Sequence, residues 1–190
     1  CKMNAPHSPT PPITRLATAP VWSFRPDGSV RDLACPDPLE IDFYAMANGL
    51  SKIARFTGSN PGIAYSVAQH SVMGAEAAFN ETGDARLAAL FLLHDGEEHL
   101  LGDMATPAQR LLVAAMGDRH NDGLGVNFLQ PGEQFALCWA GIKVKWREAV
   151  FAAARLAIPG RADQARIDEY DHRMCNAEAA ALFGAAARAR

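Results

Sequence analysis

The stretch FLLHDGEEHLLGD, residues 91–103, constrains this chain more than any other. Apolar residues on both sides give it the pattern of a core helix, yet His94, Asp95, Glu97, Glu98 and His99 fall in its middle. Burying such groups without partners is costly. A fold that accepts this stretch must turn those side chains to water or neutralise them inside.

The rest of the chain reads as helices around that stretch. Residues 1–20, with Pro6, Pro9, Pro11, Pro12 and Pro20, suggest a flexible tail, leaving 21–190 as one domain. VWSFRPDGSVRDL holds two short strand-like runs joined by Pro26-Asp27-Gly28, the pattern of a small hairpin. From PLEIDFYAMANGLSKIARF the spacing becomes helical and runs to about TGSNPG. YSVAQHSVMGAEAAF predicts a second helix capped by Ser66, and DARLAALFLLHDGEEHLL a third, stopped by Gly102. Thr106-Pro107 opens a fourth. GDRHNDGLGVNFLQPGEQ suggests a long loop, followed by helices in WREAVFAAARLAIPG and ADQARIDEYDHRMCNAEAAALF. The expected architecture is all-α, a single-domain helical bundle with a small N-terminal β-hairpin.

Composition narrows the partners. A net charge of −3 supplies no basic footprint for a nucleic-acid polymer. No apolar run reaches the roughly 18 residues that would span a membrane, and the N-terminal stretch lacks a signal peptide's apolar core. Cys1, Cys35, Cys138 and Cys175 are scattered, without a paired motif, and suggest reduced thiols. These features lead to the expectation of a soluble, cytoplasmic protein. Trp22, Trp139 and Trp146 are read as hydrophobic anchors.

Wheel positions identify the candidate chemistry. Leu87, Leu90, Phe91, His94, Glu98 and Leu101 share a stripe on the third helix, with Asp95 beside it, while Glu97 points away toward solvent. Val67, His70, Met73 and Ala77 form the inward stripe of the second helix. On the last helix, Ile167, Asp171, Met174, Glu178 and Leu182 face inward, with Asp168 and Cys175 on another face. Three helices thus aim His70, His94, Asp95 and Asp171 at the interior. Two imidazoles and two carboxylates suit one divalent metal ion, whether Zn, Mn, Co, Fe or Mg. Glu98, one turn beyond His94, suits a general base, or else a carboxylate paired with a Lys or Arg. Glu178 needs a partner, for which Arg55 is the candidate. His99 belongs at a helix edge, His172 in a structural or supporting role, and His7 and His120 outside the site.

RFTG, YSVAQHS, LLHDGEEHLLGD, TP and YDHRMCNAEA, spread over residues 55–180, resemble the HD-domain metal-dependent phosphohydrolases. The similarity is to their compact nucleotide-acting branch, the bacterial 5′-deoxynucleotidases and phage dATP triphosphohydrolases. It implies metal ligation by His70, His94, Asp95 and Asp171, water activation by Glu98, and help from Asp103 near the leaving group. It also implies that Arg55 contacts phosphate and Phe56 packs on the sugar or base. Gly58, the last residue of RFTG, either leaves room at the base or turns the chain. Relatives often carry a lysine after the Pro that follows GD, where this chain has Gln109, with Arg110 beside it. GLGVNFLQPGEQFALCWAGIKVKW has no counterpart in that pattern.

The resemblance implies hydrolysis of a small-molecule 2′-deoxynucleotide, mono- or triphosphate, by a homo-oligomer in a bacterial cell or phage-infected host. Two other readings stand beside it. One is a phosphodiesterase or alarmone hydrolase of the same fold. The other is a non-catalytic, metal-stabilised nucleotide-binding regulator.

Overall fold

The computed structural model describes residues 13–118, 130–184 and 187. The all-α expectation holds, with one small hairpin. Strands β1 (Trp22–Phe24) and β2 (Val30–Asp32) pair antiparallel, Trp22 opposite Asp32. Gly28 takes φ +83° in the turn between them, a conformation that favours glycine. The expected tail covers residues 1–20, of which 1–12 lie outside the described residues. Residues 13–20 are not free: Leu16 N donates to Ala34 O at 2.8 Å, and Arg15 pairs with Asp32 at 2.7 Å.

Helix α1 (Phe43–Leu50) starts on Asp42, whose carboxylate accepts from Tyr44 and Ala45 N–H. It is shorter than its periodicity suggests. Arg55–Gly58 forms a separate 3-10 turn instead, with Phe56 and Thr57 at φ +53° and +54°. The cause is tertiary. Arg55 N donates to Tyr65 O and Val67 N to Ile53 O, so residues 53–55 pair with the approach to the next helix.

Helix α2 (Val67–Thr82) opens with the expected Ser66 cap, a reciprocal capping box with Gln69, and ends at left-handed Gly83. Its buried face is Val67, His70, Ser71, Gly74, Ala75 and Ala78, whereas Met73, expected inside, is 52% exposed. Small residues turned this face inward because α3 (Ala85–Leu92) lies so close. A Cβ on Gly74 would stand 2.1 Å from Phe91 Cε1.

The long third helix expected from periodicity is broken. α3 stops at Leu92 and a short α4 (Glu98–Leu101) resumes after a five-residue turn. α5 (Thr106–Asp118) begins at Thr106-Pro107 as read from the sequence. α6 (Pro131–Ala153) starts far earlier than Trp146, so residues 131–134 of the expected loop are helical, as are Gly117 and Asp118 at the end of α5, while residues 119–129 lie outside the described residues. Pro131 at its first turn and the Gln130–Glu133 capping box explain the start. α7 (Arg161–Phe183) closes the bundle.

α2 packs on α3, both meet α7, and α5 pairs with α6. Val67, Ala78, Leu87, Leu90, Phe91, Val150, Phe151 and Ile167 form the centre of the core. Trp146 is fully buried and its Nε1 donates to Leu33 O at 3.0 Å, anchoring α6 to the N-terminal segment. Trp22, by contrast, is 64% exposed, which does not fit a hydrophobic anchor. Among the described residues no helix is long and apolar enough to cross a membrane. Cys35, Cys138 and Cys175 are free thiols.

Candidate metal centre

His70 lies on the first turns of α2, fully buried, with Nδ1 2.7 Å from Glu178 Oε1 of α7. His94 and Asp95 lie in the turn between α3 and α4. There His94 N bonds Phe91 O, Gly96 N bonds Leu93 O, and Glu98 N bonds Asp95 O, each reaching back three residues. Consecutive residues on a straight helix point about 100° apart. The tightened turn brings His94 and Asp95 to one point instead. Gly96 allows it: a Cβ there would meet Val150 Cγ1 at 3.0 Å and Met46 Sδ at 3.1 Å.

His94 Nδ1 is 2.6 Å from Phe91 O, an arrangement in which Nδ1–H donates and Nε2 is left with its lone pair. The Glu178 contact does the same for His70. Both Nε2 atoms are buried and lack a hydrogen-bond partner among the described residues. They converge on the same carboxylates. His94 Nε2 lies 3.2 Å from Asp95 Oδ2 and 3.8 Å from Asp171 Oδ1; His70 Nε2 lies 3.2 Å from Asp171 Oδ1 and 3.9 Å from Asp95 Oδ2. His70, His94 and Asp95 form a buried group that could hold a metal ion, their ligand atoms within 4.8 Å of one another. Orphaned imidazole lone pairs facing a carboxylate are the donor set a divalent cation takes. Asp171, its side chain 40% exposed, lies against both imidazoles.

Electrostatics point the same way. Burial opposes a charge on His70, but Asp171 and Glu178 outweigh it and push the imidazole up to about 9. Burial likewise opposes His94, which Asp95 and Asp171 raise. Burial would lift Asp171, yet the two imidazoles hold it far below the usual carboxylate range. Positive charge is stabilised at this point, and a bound cation would displace the protons that otherwise supply it.

Around this group lies a buried ionic network. Glu97, expected in solvent, is fully buried and gripped by Arg147: Nη2 to Oε1 at 2.7 Å and Nε to Oε2 at 3.3 Å. The break after Leu92 rotates it inward. Glu98 is buried as expected, with Oε1 2.8 Å from Lys143 Nζ and Oε2 unpartnered among the described residues. Burial, then the charge of Asp95, raises the Glu98 carboxyl to about 7. Lys143 and Arg147 both come from α6, Lys143 in the stretch that has no counterpart in the resembled pattern and Arg147 in the helix expected from Trp146 onward, neither read as a site residue. Their signal was present: basic residues four apart on one helix face. Arg55 Nε pairs with Glu178 Oε2 at 3.1 Å, the partnership read from the sequence, and Tyr65 Oη donates to Oε1 at 3.0 Å.

Beside the group opens a cavity of about 620 Å³, within the usual range for small-molecule sites of roughly 300–1,000 Å³. Arg55, Phe56, Asp103 and Cys175 line it with residues 105–108. Cys175 therefore faces the site, not another face: Arg55 Nη2 donates to its sulfur at 2.9 Å. Phe56 meets Phe183 edge-on at 5.5 Å. Gly58 is exposed, at φ +69°, and is not among the lining residues, so its visible role is to turn the chain. Gln109 is taken up by Met104 O, and Arg110 is exposed. His99 is part-buried on Gly96 O, whereas His172, expected in a structural or supporting role, is exposed. His7 and His120 lie outside the described residues.

Asp171 and Asp168 separate as their helix phase requires. Asp168 is exposed and accepts from Gln164. Asp168→Asn should change stability by no more than about 0.5 kcal/mol. Asp171→Asn should weaken divalent-ion binding by about 10-fold or more, since it touches both imidazoles. Metal titration and denaturant melts of the two variants check this; equal metal affinity in both would remove Asp171 from the site.

Fold and site together define an all-α protein whose buried His-His-Asp group could hold a metal at the edge of a ligand-sized cavity. No family model matches the chain. It is 34% identical over 141 residues to an uncharacterized protein of Rhodobacter capsulatus, an alignment covering 71% of this chain and 70% of that one. The chain belongs to that protein's family.

Proposed function

We propose that this chain is a divalent-metal-dependent phosphohydrolase of the HD-domain type, acting on 2′-deoxynucleotides. One observation carries the reading. Two buried imidazoles turn unpartnered Nε2 atoms onto Asp95 and Asp171, beside a cavity walled by Arg55, Phe56 and Asp103. His70, His94, Asp95 and Asp171 would hold the cation. When bound, it would polarise a phosphoryl oxygen and draw off charge that repels a nucleophile.

The remaining work falls to the chain's own side chains. Glu98 keeps Oε2 free while Lys143 holds Oε1, so its rotamer is defined and one oxygen is left to take a proton from water. Arg55 is steadied by Glu178 and Cys175 and carries positive charge along the cavity wall, where phosphate would lie. The Phe56 ring supplies an apolar surface for sugar or base. Asp103, on the same wall, is raised by burial, which suits a group that helps a leaving oxygen.

Release of phosphate, pyrophosphate or triphosphate from a panel of deoxynucleoside mono- and triphosphates, with Mg, Mn, Co or Zn, tests the reading. Glu98→Gln should retain metal and fold yet lose turnover by about 100-fold or more. One observation favours a second reading: the Glu98–Lys143 pair is also what a non-catalytic, metal-stabilised nucleotide binder would carry. Nucleotide binding without product release under every metal would select that reading.

A further inference from the structure

Asp95 of the His-His-Asp group, Glu97 and Glu98 crowd three carboxylates into four residues. The only cations within 4.0 Å of Glu97 and Glu98 among the described residues are Lys143 and Arg147 of α6. Arg147 is committed to Glu97 through two nitrogens. Lys143 Nζ bridges the pair, 2.8 Å from Glu98 Oε1 and 3.5 Å from Glu97 Oε1. Neither belongs to the His-His-Asp group, and neither lines the cavity. Their polar contacts with the site run through the acids they hold.

We propose that Lys143 is a positioning residue that holds Glu98 off the metal position, keeping it a free carboxylate instead of an additional ligand. Glu98 follows Asp95 by one turn yet stands outside the His-His-Asp group: Lys143 holds its Oε1, and its Oε2 is buried without a partner among the described residues. A carboxylate in that state swings to the nearest positive charge. In this fold Lys143 claims it; without the ammonium, a bound cation would be the strongest remaining attraction. Lys143 thus weakens metal binding while preserving the geometry that turnover needs. The turnover part of this inference rests on the hydrolase reading, whereas the metal-affinity part does not.

The test is calorimetric titration of the full chain with Mn(II). Lys143→Met should bind Mn(II) tighter by about 10-fold or more, because a competing charge is gone and a carboxylate is freed. Lys143→Arg should stay near wild type, as should Lys145→Met, whose partner is the surface residue Glu148. Lys143→Met combined with Glu98→Gln should return to wild-type affinity. Lys143→Gln, which keeps a hydrogen-bond donor, is read by the same rule if the methionine variant does not fold. A Lys143→Met affinity equal to that of Lys145→Met overturns the proposal. So does a double variant that stays tight, since the effect would then bypass Glu98. If wild type binds Mn(II) but releases nothing from any nucleotide, the hydrolase reading falls and the affinities still decide the role of Lys143. If wild type binds no Mn(II), both fall together.

Discussion

Replacing His94 with alanine should strip the divalent cation from the protein, lowering affinity by more than about 100-fold. Partners behind a metal ligand are already worth roughly 10–100-fold, and His94 directs its own lone pair at the site. Asp95→Ala should do the same, because its Oδ2 faces both imidazoles. Fold need not be lost with the metal, since the packing of Leu90, Phe91 and Val150 is independent of either side chain's charge. Metal content after dialysis, with circular dichroism as the control for folding, reads the outcome. Full metal occupancy in both variants would dismantle the centre described above.

Glu97→Ala should be the most destabilising of the charge deletions, by about 3–5 kcal/mol, although Glu97 touches neither metal position nor cavity. It is fully buried, and its removal strands the Arg147 guanidinium, whose side chain is only 21% exposed, with no other carboxylate among the described residues closer than Asp95 at 4.0 Å. The stranded arginine would also draw Asp95 away from the imidazoles, so metal affinity should fall with stability. Glu97→Met combined with Arg147→Met should recover much of the loss, because a buried pair exchanged for apolar side chains of similar volume is often neutral. Urea denaturation of the two single variants and the double one gives the coupling directly. Additive losses would mean that the two side chains do not act as a pair.

Much of the site is legible in the residues alone. His70 sits four positions after a Ser66 cap, and the cap sets the phase of the helix that buries it. Asp171 and Glu178 share the α7 face that Asp168 leaves, so periodicity separates them correctly. The same periodicity fails where a helix is not continuous. Spacing gives His94, Asp95 and Glu97 the directions of a straight helix, and the turn after Leu92 moves Glu97 from solvent to full burial. Met73 failed for a related reason: the smallness of Gly74, Ala75 and Ala78, not hydrophobicity, decides which face of α2 meets Phe91.

By itself the sequence determined which helices begin where a cap is written, and which side chains are too polar for a core without a compensating charge. It determined the hairpin at Pro26-Asp27-Gly28, the inward histidines, and the need of Glu178 for Arg55. Only the tertiary structure decided what neutralises Glu97 and Glu98. Their partners, Lys143 and Arg147, lie 45 and 50 residues away on α6. Local spacing states where a side chain points along its own helix. It is silent on which distant helix will stand opposite, because that is settled by burial summed over the whole core.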